Sequence, residues 1–205
     1  MEPAGYNDSI FINCPFDPEY TQILQAIVFA IYRCGFFPKT AQDNDDGTEN
    51  RLSKIISIIK KCKYGIHDIS RTEVNSEGFP RFNMPFELGI FFGARFLGSS
   101  EQKKKNALIF EKTRYSYLQV ISDLNGIDPK AHNDNPLLAI KKISEWLTDT
   151  SLRKTIPGHL IIAKEYKSFR KKLPTIVQKL GLDPDDIPFR NYTLIVEEAV
   201  RGESK

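Results

Sequence analysis

Two carboxylates, Asp68 and Glu87, stand in apolar surroundings that a charged side chain normally avoids. Asp68 lies near the carboxyl end of the segment Tyr64–Ser70, and Glu87 lies at the beginning of an apolar segment that runs to Leu97. Because an isolated buried charge costs free energy, a protein tolerates one mainly where it has partners or a chemical task. A structural role stays open for both residues: Glu87 could cap its own helix, and Asp68 could cap the turn that follows it.

The segment Asn83–Ile90 has the signals of a helix start. Asn83 or Met84 can cap the helix, and Pro85 suits its first turn, where a missing backbone N–H has no acceptor to lose. Glu87 is then expected in the first turn, where the positive end of the helix dipole favours a carboxylate.

One loop and the start of one helix separate Asp68 from Glu87. In a doubly wound sheet such a connection brings the strand end and the helix start to the same rim, where ligands of open α/β sheets bind. Two carboxylates in one cleft suit the cleavage of an N-glycosidic bond. One stabilises the oxocarbenium-like sugar or attacks its anomeric carbon, and the other orients a hydroxyl or handles a proton.

The elements that must position these carboxylates alternate between strand and helix. Short β-branched and apolar runs predict strands at residues 9–13, 36–41, 64–70 and 106–110, and helical spacing predicts helices at 19–33, 51–61, 83–97 and 135–148. This alternation is typical of a parallel sheet covered on both faces. We therefore expect an α/β fold, a flavodoxin-like doubly wound parallel sheet, over residues 1–150.

Residues 151–205 are expected to form a helical C-terminal appendage. Large apolar residues repeat there at helical spacing between many lysines and arginines: Ile162, Tyr166, Phe169, Leu173, Ile176, Val177 and Leu180. Helices already cover both sides of the predicted sheet, so this stripe is expected to pack at least partly against a second subunit or another protein.

Composition excludes several other classes of function. The net charge is only +3, which argues against a nucleic-acid partner, and the longest apolar runs are too short or interrupted to cross a membrane. The first eight residues lack the regions of a signal peptide, so a cytoplasmic location is expected. No glycine fingerprint follows a strand and the three cysteines match no metal spacing, so neither a cofactor nor a metal is expected.

Arg71 and Arg81 flank a loop at the expected rim of the sheet. At least one of them is expected to contact an anionic group of a ligand, and a solvated arginine is the alternative for each. Asn83, at the start of the following helix, is also expected among the substrate-binding residues.

Three segments in order resemble the nucleoside 2-deoxyribosyltransferase-like fold: Ile10–Phe16, Tyr64–Asp68 and Phe86–Gly89. Members of that family pair an aspartate after the third strand with a glutamate in a Glu-Leu-Gly helix start. The fold is close to that of TIR domains, whose NAD-cleaving members place a catalytic glutamate in the same helix region. The resemblance covers roughly residues 9–112, and the Glu-Leu-Gly piece is its most specific part.

The resemblance implies a role for each matching residue. Glu87 would be the nucleophile or the stabiliser of the oxocarbenium ion, Asp68 would bind sugar hydroxyls or assist proton transfer, and Asn13 and Phe16 would line the base or sugar site. The substrate would be a nucleoside, a nucleotide or NAD, and the protein could be a nucleotide-depleting effector of bacterial antiviral defence.

The first loop departs from the family pattern, because Asn13-Cys14 stands where the family has a small residue or a serine-rich phosphate cradle. A 5′-phosphate site therefore does not follow from the resemblance. The alternative function is a non-catalytic TIR-like module that senses a nucleotide signal or assembles with partners.

Overall fold

The central sheet of the computed structural model has five parallel strands in the order β2-β1-β3-β4-β5. The structure describes residues 5–43, 47–71, 81–119, 121–152 and 155–202. The strands are β1 (Ser9–Asn13), β2 (Phe37–Lys39), β3 (Tyr64–Asp68), β4 (Asn106–Glu111) and β5 (Lys130–Ala131). The helices are α1 (Thr21–Arg33), α2 (Arg51–Lys60), α3 (Asn83–Leu97), α4 (Pro136–Thr150), α5 (His159–Lys179) and α6 (Phe189–Gly202).

This order is the flavodoxin-like one, which confirms the predicted α/β fold class with its C-terminal helices. Four of the five strands and the first four helices lie close to their predicted positions, and α5 and α6 form the expected helical C-terminal part. β5 is missing from the strands predicted above, because two residues are too short to carry a periodic pattern.

Alternation along β1 shows how the sheet divides the core into two sides. Ile10 and Ile12 pack in the cluster that contains α1 and α4, whereas Phe11 packs on the other face with residues of α2 and α3. Successive strand residues point to opposite faces, so each central strand feeds both clusters. The central strands β1 and β3 are buried along their length, as expected for a parallel sheet with helices on both faces.

Asparagine caps begin two of the helices that cover the sheet. The Asn50 side chain accepts hydrogen bonds from the backbone of Leu52 and Ser53, and Asn135 caps α4 in the same way with Pro136 following it. Such caps satisfy N–H groups that have no partner inside the helix.

Five of the seven residues of the α5 stripe are buried within their own chain, which corrects for these residues the expectation that they pack across a subunit interface. Leu180, at the end of the stripe, is 57% exposed, and a contact with a partner there stays a prediction. Ile162 and Val177 are fully buried and Phe169 is 2% exposed, all in the cluster that includes α1, α4 and α6. The Phe169 ring lies 5.3 Å from the ring of Phe29 on α1. α1 and α4 pack on the sheet with one face and have a second apolar face that points away from the sheet. α5 and α6 cover this second face.

Candidate active site at the carboxyl edge of the sheet

The strand order reverses between β1 and β3, so the helices that follow these strands leave toward opposite faces of the sheet. In open α/β sheets the crevice beyond such a point is the usual ligand site. Asn13 ends β1 and Asp68 ends β3, and Asn13 lies in register with His67. The two predicted residues therefore lie at this crevice.

Asn13 fixes the start of α3 against the sheet. Its side-chain amide is buried and donates to the backbone carbonyl of Met84 at 2.8 Å and to His67 Nδ1 at 3.1 Å. Because Nδ1 accepts, the ring proton of His67 is on Nε2. Burial, followed by the positive charge of Lys105, lowers the pKa of His67 to about 3, so this histidine is neutral and structural.

Asp68 is fully buried and receives three donors. The Tyr20 hydroxyl lies 2.5 Å from Oδ2, His132 Nε2 lies 3.0 Å from the same oxygen, and the backbone N–H of Ser70 donates to Oδ1 at 2.8 Å. Burial alone would raise the pKa of this carboxyl. The hydrogen bonds from its partners, that of His132 first, outweigh burial and lower the pKa, so Asp68 is ionised at neutral pH.

His132 connects the Asp68 network to the edge of the sheet. Its Nδ1 accepts from the backbone N–H of Asp134 at 3.0 Å, so its Nε2 carries the proton that faces Asp68 and the hydroxyl of Ser70. Burial, followed by the charge of Asp68, raises the pKa of Tyr20 well above its usual value, so the tyrosine remains a neutral donor. The result is one connected set of polar groups on the α1 side of the sheet.

Glu87 has a different environment. It is 8% exposed and lies in the second turn of α3, which corrects the expectation that it belongs to the first turn. Burial raises its pKa to about 6, with Arg51 acting in the opposite direction. Within the part of the chain that the structure describes, no side chain or backbone N–H donates a hydrogen bond to its carboxyl. A carboxyl that titrates close to neutrality and lacks donors is typical of a group with a chemical task.

The start of α3 also differs from the prediction in its cap. Phe82 occupies the N-cap position without a side-chain cap bond, and Asn83 and Met84 are the first two helical residues. Asn83 is exposed, so it is open to solvent beside the site.

The thiol of Cys14, directly after β1, is affected by the charges of both Asp68 and Glu87. This buried thiol has a pKa well above the usual value because of burial and then because of the negative charges of Asp68, Glu87 and Asp17. The charges of all three carboxylates thus act on this thiol in the same direction. Asp68 approaches from the α1 side and Glu87 from the α3 side, so the structure brings them to one edge from opposite faces of the sheet.

Both predicted arginines pair with the carboxylate of Asp17, in the turn after β1. Arg71 lies 2.9 Å from Asp17 and 2.8 Å from Glu19, and Arg81 lies 3.2 Å from Asp17. Residues 72–80, which these arginines flank, lie outside the described residues. A contact between either arginine and an anionic ligand stays a prediction.

Phe16 lines a cleft of about 260 Å³ together with residues of the segment that leads into α6. Its ring is 37% exposed and lies 6.3 Å from the ring of Phe189 in an edge-on arrangement. Asp17 and Tyr192 line the same cleft. The segment before α6 and the start of α6 thus line the cleft beside Phe16, whereas Asp68 and Glu87 do not line it.

Tyr20 and His132 are the residues of the site that the sequence analysis did not single out. Asn133 and Asp134 both have φ of 51°, a left-handed conformation that asparagine and aspartate tolerate. His-Asn-Asp-Asn-Pro therefore marks a tight turn before a capped helix, and this turn was the signal that could have placed His132 at the sheet edge.

Over the described ranges, no group of three or more histidine, cysteine or acidic residues could hold a metal ion, and no helix is long and apolar enough to cross a membrane. Comparisons with protein-family models, with curated proteins and with solved structures found no match. The structure thus describes an α/β protein with two buried carboxylates, Asp68 and Glu87, on opposite sides of the sheet near its switch point.

Proposed function

We propose that the protein cleaves or exchanges the N-glycosidic bond of a nucleoside, a nucleotide or NAD, with Glu87 as the carboxylate that meets the sugar. The observation that carries this proposal is the state of Glu87: 8% exposed, without a donor among the described residues, and with a pKa of about 6. A role as a nucleotide-depleting defence effector would follow from the sequence resemblance.

The reaction uses the charge of Glu87 at the anomeric carbon. The carboxylate attacks this carbon or stabilises the positive charge on the sugar while the C–N bond breaks, and the base leaves with the bonding electron pair. The base of a nucleoside or nucleotide takes up a proton from solvent as it leaves, whereas the pyridinium of NAD leaves as neutral nicotinamide. Water or a second base then adds to the sugar, and Glu87 is released as a carboxylate. A raised pKa makes Glu87 a stronger nucleophile, and above about pH 6 it is mostly ionised.

Asp68 is assigned a positioning role in this proposal. Its oxygens are occupied by Tyr20, His132 and the backbone of Ser70, so it holds these groups in place at the edge beside Cys14. Direct contact with a sugar hydroxyl, which the resemblance implies, would require one of these donors to give way.

The remaining predicted residues supply the walls of the site. Phe16 and Phe189 offer aromatic faces to a base in the cleft that they share, and Asn83 offers an exposed amide at the start of α3. An anionic group on the substrate would compete with Asp17 for Arg71 or Arg81.

A non-catalytic TIR-like module is the second candidate, and the internal pairing of charged groups favours it. Asp68 accepts hydrogen bonds from three donors, and Arg71 and Arg81 both form ion pairs with Asp17. This arrangement suits a ligand-controlled switch as well as a catalyst. Such a module would assemble with partners through exposed leucines of the C-terminal helices, such as Leu160 and Leu194.

Release of free base separates the two candidates. The purified protein is incubated with NAD, with nucleosides and with nucleoside monophosphates, and the products are separated by chromatography, with and without a second free base as acceptor. Base release that Glu87→Gln abolishes supports the glycosidase or transferase. Binding of a nucleotide without any base release supports the sensing module instead.

A further inference from the structure

The solvent side of α3 carries an apolar face that no part of the described chain covers. Four of its residues are large and exposed: Phe82 at 59%, Phe86 at 55%, Phe96 at 63% and Leu97 at 88%. Two glycines, Gly89 and Gly93, lie between the aromatic pairs, and a Cβ added at either would meet nothing within 4 Å. We call these six residues the outer face of α3.

The spacing of this face is that of a helix-pairing seam. From Phe82 the positions advance by four, three, four and three residues through Phe86, Gly89, Gly93 and Phe96. Such a repeat keeps the residues on one side of the helix and is the pattern by which helices pair at a shallow crossing angle. The two glycines let a second backbone approach closely at the centre.

We propose that two copies of this chain associate through the outer face of α3 as an antiparallel helix pair. A two-fold axis at the level of Phe91 exchanges Gly89 with Gly93 and Phe86 with Phe96, because each pair is equally spaced about residue 91. The face is therefore complementary to its own copy, which a symmetric dimer requires. The antiparallel arrangement also sets the two helix dipoles in favourable opposition.

The exposed area is large enough for such a dimer. With roughly 150–250 Å² on each aromatic side chain, the exposed parts of the four large residues amount to about 500 Å² per copy. A symmetric pair would bury about 1,000 Å², the lower limit for a specific interface. A patch of about 500 Å² is in the range of the largest apolar patch on a typical monomer, and such patches are often functional.

The interface lies apart from the C-terminal helices and close to the candidate site. α3 packs on the α2 side of the sheet, whereas α5 and α6 cover α1 and α4 on the other side. In the dimer, the partner's Phe96 packs against Phe86, the residue directly before Glu87.

Light scattering of the full chain over a micromolar concentration series tests the proposal. The wild-type protein is expected to be a dimer, and Gly93→Gln is expected to weaken association at least about ten-fold because a long side chain then fills the centre of the crossing. Glutamine forms helix better than glycine, so circular dichroism of the variant should be unchanged. Gly202→Gln, at the end of α6 where a Cβ also meets nothing within 4 Å, is the matched control and should remain dimeric.

Cysteine cross-linking tests the orientation, since the three native cysteines are buried. An equimolar mixture of Gly89→Cys and Gly93→Cys chains should form disulfide-linked dimers under mild oxidation, and Gly89→Cys alone should form few. Efficient linking of Gly89→Cys alone would instead show a parallel pair and overturn the antiparallel dimer. A monomeric wild type, a dimer that survives Gly93→Gln, or a dimer that only Leu160→Gln on α5 disrupts would each overturn the interface itself.

Discussion

The hydroxyl of Tyr20 donates to Asp68 Oδ2 at 2.5 Å and joins the turn before α1 to the end of β3. Both side chains are buried, and the phenol is kept neutral by its surroundings. This bond ties together the two strands between which the sheet order reverses, because the Tyr20 turn directly follows β1. The bond holds the carboxyl edge of the sheet in one arrangement. Glu87, on α3, lies beside this edge.

Glu87→Gln is expected to lower the rate of base release by about 10²-fold or more, because glutamine keeps the shape but lacks the charge that meets the developing cation. The measurement is the initial rate on whichever substrate releases base, with circular dichroism to confirm that the variant folds. The matched control is Glu101→Gln, an exposed acidic residue beyond the end of α3. If the Glu87→Gln protein is active, Glu87 is not the carboxylate that meets the sugar.

The raised pKa of Glu87 predicts that the free energy of unfolding depends on pH. The folded pKa of Glu87 is about 6 against an ordinary value of 4.5, so the folded state holds a proton that the unfolded chain releases between these values. Stability should therefore fall by about 1–2 kcal/mol as pH rises from 4.5 to 6 and change little from this source above pH 6. Urea titrations at several pH values should show that the wild type loses this much stability relative to Glu87→Gln between pH 4.5 and 6, since Asp43 and Asp68 titrate in both proteins.

Tyr20→Phe is expected to destabilise the protein by about 1–3 kcal/mol, because it removes one of the donors of a buried carboxylate. Tyr166→Phe is the control, since the Tyr166 hydroxyl makes only a 3.4 Å contact with a backbone carbonyl. Urea denaturation measures both variants. Because Tyr20 positions the site, kcat should also fall in Tyr20→Phe, and an equal effect of the two substitutions on kcat would contradict this role.

Arg81→Ala is expected to raise the KM for a phosphorylated substrate and to leave the KM for an unphosphorylated nucleoside unchanged. Its ion pair with Asp17 is half exposed and contributes little to stability, so the fold should not change. Arg201→Ala removes a similarly exposed pair with Glu197 on α6 and serves as the control. Equal KM changes for both substrates would argue against a phosphate contact at Arg81.

Phe169→Ala should destabilise the chain by about 3–5 kcal/mol without changing its oligomeric state, because Phe169 is 2% exposed inside its own protomer. Leu160→Ala on the same helix, where the side chain is 75% exposed, should change stability by less than about 0.5 kcal/mol. Urea denaturation and light scattering measure the two effects. Dissociation of an assembly by Phe169→Ala, with the fold retained, would restore the interface that the sequence alone suggested.

The sequence by itself determined the α/β alternation and the placement of Asp68 and Glu87 near one edge. Periodicity and caps are local signals, and Asn13 and Asp68 end strands that short apolar runs reveal. The strand order then places these ends at the switch point, because parallel strands share one carboxyl edge.

Only the tertiary structure decided what surrounds each carboxylate. Tyr20 and His132 lie far from Asp68 in the chain, and the pKa values of the buried groups depend on contacts that no local pattern contains. It also decided where α5 packs, because an apolar stripe specifies that a helix needs a covering surface but not which one. Here that surface is α1 and α4 of the same chain, and among the described residues α3 keeps an exposed apolar face.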